Sequence, residues 1–188
     1  MTEFITKSQL IKASKRDEKE SVVKLSSLID KFTMSIKGSD TFEVSIFLSH
    51  SHKDKDLVYF LFSIFKRLDV KVYVDWLDDD LSYPPTGETA IKIKRKIKEN
   101  KKFILLATNE AITSKWCNWE LGLGDENRYI DDIALFPVAD NSGNWRGNEY
   151  LQIYPYLDKT YKSLKYDNGF TIIYPNGREI DFEKWLKS

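Results

Sequence analysis

Two neighbouring stretches decide the fold: Phe103-Ile104-Leu105-Leu106-Ala107, and soon after it Ser114-Lys115-Trp116-Cys117-Asn118-Trp119-Glu120-Leu121-Gly122. An unbroken apolar run suits a strand covered on both faces, as in a parallel sheet. The second stretch reads as a helix beginning at about Ser114. Residues three and four apart share a helix face, so Trp116, Trp119 and Glu120 point roughly the same way. Cys117 and Leu121, one turn apart, lie on another face and anchor the helix to the core. A carboxylate beside indole rings is poorly solvated, which raises its pKa or requires a cationic or hydroxylated partner. Glu120 is therefore either part of a site or a well-paired structural glutamate.

Outward from this unit the chain alternates strand and helix. Thr41 to Leu48 (TFEVSIFL) is β-branched and aromatic and reads as a buried central strand. Ser49-His50-Ser51-His52-Lys53-Asp54 follows as a strand-to-helix loop, with Ser51 and Asp54 at capping-box spacing. The next helix carries Leu57, Leu61, Ile64, Phe65 and Leu68 on its core stripe. Val58, Phe60 and Phe62 widen the stripe, either to cover the sheet fully or to form a subunit contact. Val70 to Asp75 is a second short strand. Trp76 to Gly87 is a loop by its prolines and acids, and Glu88 to about Asn100 is a helix with Ala90, Ile93 and Ile97 inward. Its cationic end complements the helix dipole. Ile133 to Val138 is a fourth strand whose Pro137 points to a strand end or a sheet edge. Ala139 to Asn148 is loop, and Tyr150 to Leu157 holds a short helical turn limited by Pro155. Phe170 to Tyr174 is a last strand, Pro175-Asn176-Gly177 a turn, and Asp181 caps a closing helix with Phe182, Trp185 and Leu186. Ahead of all this, residues 1–40 form an N-terminal extension. There Val22, Leu25, Leu28 or Ile29, Phe32 and Ile36 fit an amphipathic helix, ended by Gly38-Ser39-Asp40. Residues 41–160 are the main domain and 161–188 a strand-turn-helix packed on it.

This alternation predicts an α/β fold, a parallel sheet with helices on both faces. In such sheets ligands sit beyond the carboxyl ends of the strands. Ser49-His50, Asp75-Trp76 and the segment leading to Trp116 all leave those ends, so the chemically notable residues converge on one rim.

Composition narrows the chemistry. The 188 residues carry 29 Lys and Arg against 29 Asp and Glu, a net charge of zero. No global attraction to nucleic acid or anionic lipid follows from that balance. Cys117 is the single cysteine, which excludes an internal disulfide framework and a cysteine-rich zinc site. No apolar run is long enough for a signal peptide or a membrane span, so the expected compartment is the cytoplasm. Neither a GxxxxGK[ST] loop nor a GxGxxG fingerprint is present. His50 and His52 would need Asp54 or Asp75 to complete a zinc site; no metal is expected. Asp78-Asp79-Asp80 reads as a solvated acidic loop. Ser49 and Ser51 sit beside His50 without a nucleophile elbow. What remains is one glutamate in an aromatic setting. Such a carboxylate suits the stabilisation of positive charge developing on a sugar ring or the binding of ribose hydroxyls, and nearby aromatic surface suits a flat base.

The motifs also carry a resemblance. Val44-Ser45-Ile46-Phe47-Leu48-Ser49-His50 resembles the first conserved box of Toll/interleukin-1 receptor (TIR) domains. Val72-Tyr73-Val74-Asp75 with its acidic, proline-bearing sequel resembles the second strand and BB loop. Phe103-Ile104-Leu105-Leu106 and Ser114-Lys115-Trp116-Cys117-Asn118-Trp119-Glu120-Leu121 resemble the Ser-x-Trp-Cys-x-x-Glu-Leu segment. The resemblance spans about residues 42 to 140. It implies a flavodoxin-like, doubly wound sheet of about five parallel strands. It also implies membership of a bacterial branch that cleaves NAD+ between nicotinamide and ribose, in some members releasing cyclic ADP-ribose signals in anti-phage defence. Glu120 matches the family's catalytic glutamate and Trp116 the tryptophan one turn before it; Ser49, His50, Asp75 and Trp76 would line the pocket. NAD+ is then substrate, with no separate cofactor. The partners implied are other copies of the chain and a downstream nucleotide-sensing effector, with no nucleic acid and no membrane. Two departures stand out: Ser49-His50 where animal adaptors read Ser-Tyr, and Pro84-Pro85-Thr86-Gly87 where Pro-Gly is common. The rival reading is a non-catalytic assembly module, in which Glu120 only pairs structurally and the wide apolar helix with Val58 and Phe62 carries the function. A third is a nucleoside hydrolase or transferase of related fold.

Overall fold

The computed structural model describes residues 4–17, 44–68, 70–75, 85–127, 129–147, 149–159 and 170–188. In chain order these form α1 (Lys7–Asp17), β1 (Ser45–Ser49), α2 (Lys55–Arg67), β2 (Lys71–Tyr73), α3 (Gly87–Glu99), β3 (Lys102–Thr108), α4 (Asn109–Ile112), α5 (Lys115–Asn127), β4 (Ile133–Val138), β5 (Tyr156–Lys159), β6 (Phe170–Ile173), β7 (Glu179–Asp181) and α6 (Phe182–Lys187). Short 3-10 turns at His52–Asp54, Ile130–Asp132 and Glu149–Ile153 link them.

All seven residues of β3 are buried, as the apolar run requires. The strand lies between β1 and β4 in the order β2-β1-β3-β4-β5-β6-β7. The first five strands are parallel, β6 runs antiparallel to β5, and β7 antiparallel to β6. Side chains alternate across a strand, and the core divides accordingly. Ile46, Leu48, Ile104, Leu106, Ala134 and Phe136 face α2, with Phe182 and Trp185 of α6 and Leu10 of α1 in the same cluster. Phe47, Phe103, Leu105, Ile133 and Leu135 face the other way, against Ile93 and Ile97 of α3 and Cys117 and Leu121 of α5. The sheet is doubly wound, with its switch point between β1 and β3, where a ligand crevice is expected.

The described apolar residues Leu57, Val58, Leu61, Phe62 and Phe65 of α2 are occupied within the chain. Val58 and Phe62 are buried in the core, and α1 packs on α2. These two residues, on which the rival reading rests, are thus core of the chain itself. The side chain of Phe60 and the proposed helix at 22–36 lie outside the described residues.

Pro137 does not mark a sheet edge. Its strand β4 is central, and Pro137 stands opposite Ala107 of β3. The reason lies in which neighbour its missing N–H would have faced. Leu135 N donates toward the β5 side, to Pro155 O, at 2.8 Å, and Ala139 N donates to Ile5 O at 2.9 Å. Residues two apart along a strand point their amides the same way. Pro137 thus falls where β5, paired to β4 only at Leu135 and Tyr156, gives way to the N-terminal segment, which bridges Ala139 in parallel through Thr6. No ladder bond is lost at the handover.

Strands β5 and β7 and helix α1 go beyond what the sequence pattern predicts. The expected turn at Pro175–Gly177 is present, with Gly177 at φ +82°. Asp181 caps α6, its Oδ1 accepting from Lys184 N at 3.1 Å. Among the described residues no helix is long and apolar enough to cross a membrane.

Candidate active site

Ser49 is the last residue of β1, so its side chain emerges at the carboxyl rim of the sheet, and it is buried. Helix α5 brings Glu120 to the same place. The helix starts after Ser114, whose Oγ accepts from Cys117 N at 3.3 Å, the bond expected of an N-cap. One turn beyond Glu120, Gly124 lies so close to β3 that a Cβ there would stand 3.1 Å from the Phe103 ring. Cys117, Leu121 and Gly124 thus set the face of α5 that meets the sheet, and Glu120 follows them into the interior.

The Glu120 side chain is 2% exposed, and its Oε2 accepts a hydrogen bond from Ser49 Oγ at 2.6 Å. Burial pushes its carboxyl up, the Asp75 charge pushes it further, and the Ser49 hydroxyl and Trp116 indole pull partly back; the result is a pKa of about 8. Near neutrality such a carboxyl exchanges a proton readily, as an acid–base group or a charge-responsive one should. The two tryptophans fan outward from it. Trp116 is half-buried and Trp119 is 37% exposed, with ring centroids 5.0 Å apart and planes tilted by 42°. The shared face predicted from spacing therefore runs from interior acid to exposed indole.

His50 follows Ser49 and is also buried. Its Nδ1 lies 3.2 Å from Leu48 O. A carbonyl only accepts, so Nδ1 carries the hydrogen. Nε2 then faces Asp75, with Oδ1 at 3.7 Å. Burial lowers the pKa of His50 more than Asp75 raises it, so the ring is neutral at pH 7. Asp75 closes this side from the end of β2, and its side chain is 14% exposed. Ser49, His50, Asp75, Trp116 and Glu120 thus stand together; Trp76 lies outside the described residues. Cys117 is buried beside them, and burial, then the Glu120 charge, raises its thiol to about 12. It is packing rather than a nucleophile.

His52 does not join the group: it is exposed, its ring centroid 6.4 Å from that of His50. Ser51 caps the 3-10 turn by accepting from Lys53 N at 3.3 Å. Asp54, offered by spacing as a capping-box or zinc partner, is engaged elsewhere: Oδ1 accepts from Lys7 Nζ at 3.0 Å and Oδ2 from Thr108 Oγ1. Among the described residues no group of three or more His, Cys, Asp or Glu could hold a metal ion. Sequence reasoning missed Lys7 and Thr108. Neither lies in a motif, and only the threonine's place at the end of an apolar strand could have flagged it.

The sequence profile of the TIR domain matches residues 46–171. The chain belongs to the TIR domain family. Within the TIR domain the match runs from β1 into β6 and leaves α1 outside. The chain is 34% identical over 147 residues to a Bacillus cereus protein named a probable 3' cyclic ADP-D-ribose synthase, covering 76% of this chain and 75% of that protein. It is also 29% identical over 116 residues to a Cytobacillus dafuensis protein bearing the name of a cyclic ADP-D-ribose synthase, covering 53% of this chain and 31% of that one.

Proposed function

We propose that this TIR domain cleaves NAD+ between nicotinamide and ribose and closes the remaining ADP-ribose into a cyclic product. The observation that carries the reading is the buried Glu120 carboxyl, held by Ser49 at the switch-point rim. The similarity to proteins named as cyclic ADP-ribose synthases supports it.

Bond cleavage leaves the electron pair with nicotinamide, which departs neutral, and positive charge develops at the ribosyl C1. The carboxylate form of Glu120 stabilises that charge in a poorly solvated site, where electrostatic attraction is strong. The substrate's own positive pyridinium favours the carboxylate form on binding. Trp116 shapes the nicotinamide end, while Ser49, His50 and Asp75 position the ribose. In the neutral ring Nε2 of His50 accepts hydrogen bonds, as does the Asp75 carboxylate, and ribose hydroxyls are donors matched to both. Ring closure follows when a nitrogen of the adenine or a hydroxyl of the second ribose attacks C1. A hydroxyl nucleophile passes its proton to a base, and a carboxylate with a pKa near 8 can take it. Water attacking instead gives ADP-ribose, the hydrolase outcome. NAD+ enters as substrate, with no separate cofactor.

In this reading the protein works in the cytoplasm, assembles with copies of itself, and supplies a nucleotide signal to a downstream effector in anti-phage defence. Chromatography of a reaction with NAD+ tests the chemistry. A cyclic product formed with equimolar nicotinamide is expected; turnover of free nucleosides with NAD+ left intact would refute it.

A further inference from the structure

We infer that Lys7 is a positioning residue for the candidate active site, acting through Asp54 on the loop that carries Ser49 and His50; the inference rests on the site proposed above. The N-terminal segment is built into the rim. Thr6 pairs with Ala139, Ile5 and Leu10 are buried, and the Phe4 ring packs edge-on against Trp145 and Tyr156, with centroids 4.9 and 5.7 Å away. This places Lys7 between the loop that follows β1 and helix α4, which follows β3. Its Nζ donates to Asp54 Oδ1 at 3.0 Å and to Glu110 Oε2 at 2.7 Å.

Asp54 is 2% exposed. A carboxylate that deep requires a cation or several donors, and it has Lys7 on one oxygen and the Thr108 hydroxyl on the other. Asp54 N also donates back to Ser51 O at 2.8 Å. The loop from Ser49 to Asp54 is therefore fastened at both ends, to Glu120 through Ser49 and to Lys7 and Thr108 through Asp54. Stripped of Lys7, the buried carboxylate would gain by moving toward solvent, carrying the His50 end of the loop with it. Lys7 also offsets a charge that acts on His50 directly. The charged and titratable groups acting on that ring are Asp75, which follows β2, and His52 and Asp54 from its own loop. The segment that supplies Lys7 lies outside residues 46–171, so the rim is completed from beyond the family's matched region.

The chain has two histidines, so imidazole NMR reads His50 directly, with His52→Gln assigning the other. Lys7→Met should move the His50 ring signals and lower kcat/KM for nicotinamide release from NAD+ by about tenfold, the scale of a sub-ångström misplacement of a substrate-positioning group. Lys7→Arg should restore both, and Lys12→Met on the exposed face of α1 should change neither. Glu110→Gln removes the second anchor of Lys7 while leaving Asp54 paired. It should move the His50 signals in the same direction by a smaller amount, and it keeps the test open if Lys7→Met does not fold. Unmoved His50 signals in both variants, or equal effects of Lys7→Met and Lys12→Met, would overturn the inference. A wild type that releases no nicotinamide would count against the proposed function alone, because the His50 signals still report on Lys7.

Discussion

Replacing Glu120 by Gln should make the protein more stable in alkaline solution, and the gain can be worked from the site. The folded carboxyl has a pKa of about 8 against an ordinary 4.5, a difference of about 3.5 pH units. Between those two values the folded state keeps a proton that the unfolded state has released. Stability therefore falls as pH rises through this window, and it is fully present only below the unfolded pKa. At ~1.4 kcal/mol per pH unit, the whole loss is roughly 5 kcal/mol by pH 8 to 9. Glutamine has no such loss, and its carbonyl can still accept from the Ser49 hydroxyl. Urea unfolding of both proteins from pH 5 to 9 isolates the effect, because other titrating groups cancel in the difference. The two should match within about 1 kcal/mol near pH 5, and Glu120→Gln should lead by about 3 to 5 kcal/mol at pH 9. A difference that stays flat across the range would refute the burial argument for Glu120.

Three further outcomes follow from the same geometry. Ser49→Ala removes a hydroxyl that holds the Glu120 carboxyl down, so the acidic limb of the pH profile of nicotinamide release should move to higher pH. The Cys117 thiol, raised from 9 to about 12, should react with a disulfide reagent at pH 8 on the order of a thousandfold more slowly in the folded protein than in the unfolded one, from thiolate fraction alone. Gly122 lies within α5, and a Cβ there would meet nothing within 4 Å. Gly122→Ala should therefore stabilise the protein by about 0.5 to 1 kcal/mol, seen as a rise in Tm.

The parts of the fold that the sequence made legible are those governed by local period. The apolar run at Phe103–Ala107 became the fully buried β3, and helical spacing placed Cys117 and Leu121 against the core; that Glu120 is buried beside them, while Trp119 on its expected face is exposed, was not legible from spacing. Ser49, His50 and Asp75 were legible because parallel strands end on one rim, which is a rule of topology rather than of any single residue. The short β5 and β7 were not, since they owe their strand form to pairing with β4 and β6. Tyr156 and Leu157 after a proline carry no signal of that. Helix α1 (KSQLIKASKRD) was missed for a similar reason: it is largely polar, and tertiary contacts place it. Pro137 does stand next to the end of β4, but not at a sheet edge, and the sequence does not show which neighbour lies on its N–H side. The tie between Lys7 and Asp54 spans 47 residues, beyond the reach of any spacing rule.

The most direct measurement is nicotinamide release from NAD+ by wild type and Glu120→Gln, side by side at pH 8. With Glu120 as the group that stabilises the ribosyl charge, wild type should release nicotinamide together with a cyclic product. Glu120→Gln should lose at least about a hundredfold in kcat/KM, although it is the more stable protein at that pH. Release by Glu120→Gln at the wild-type rate would contradict that role.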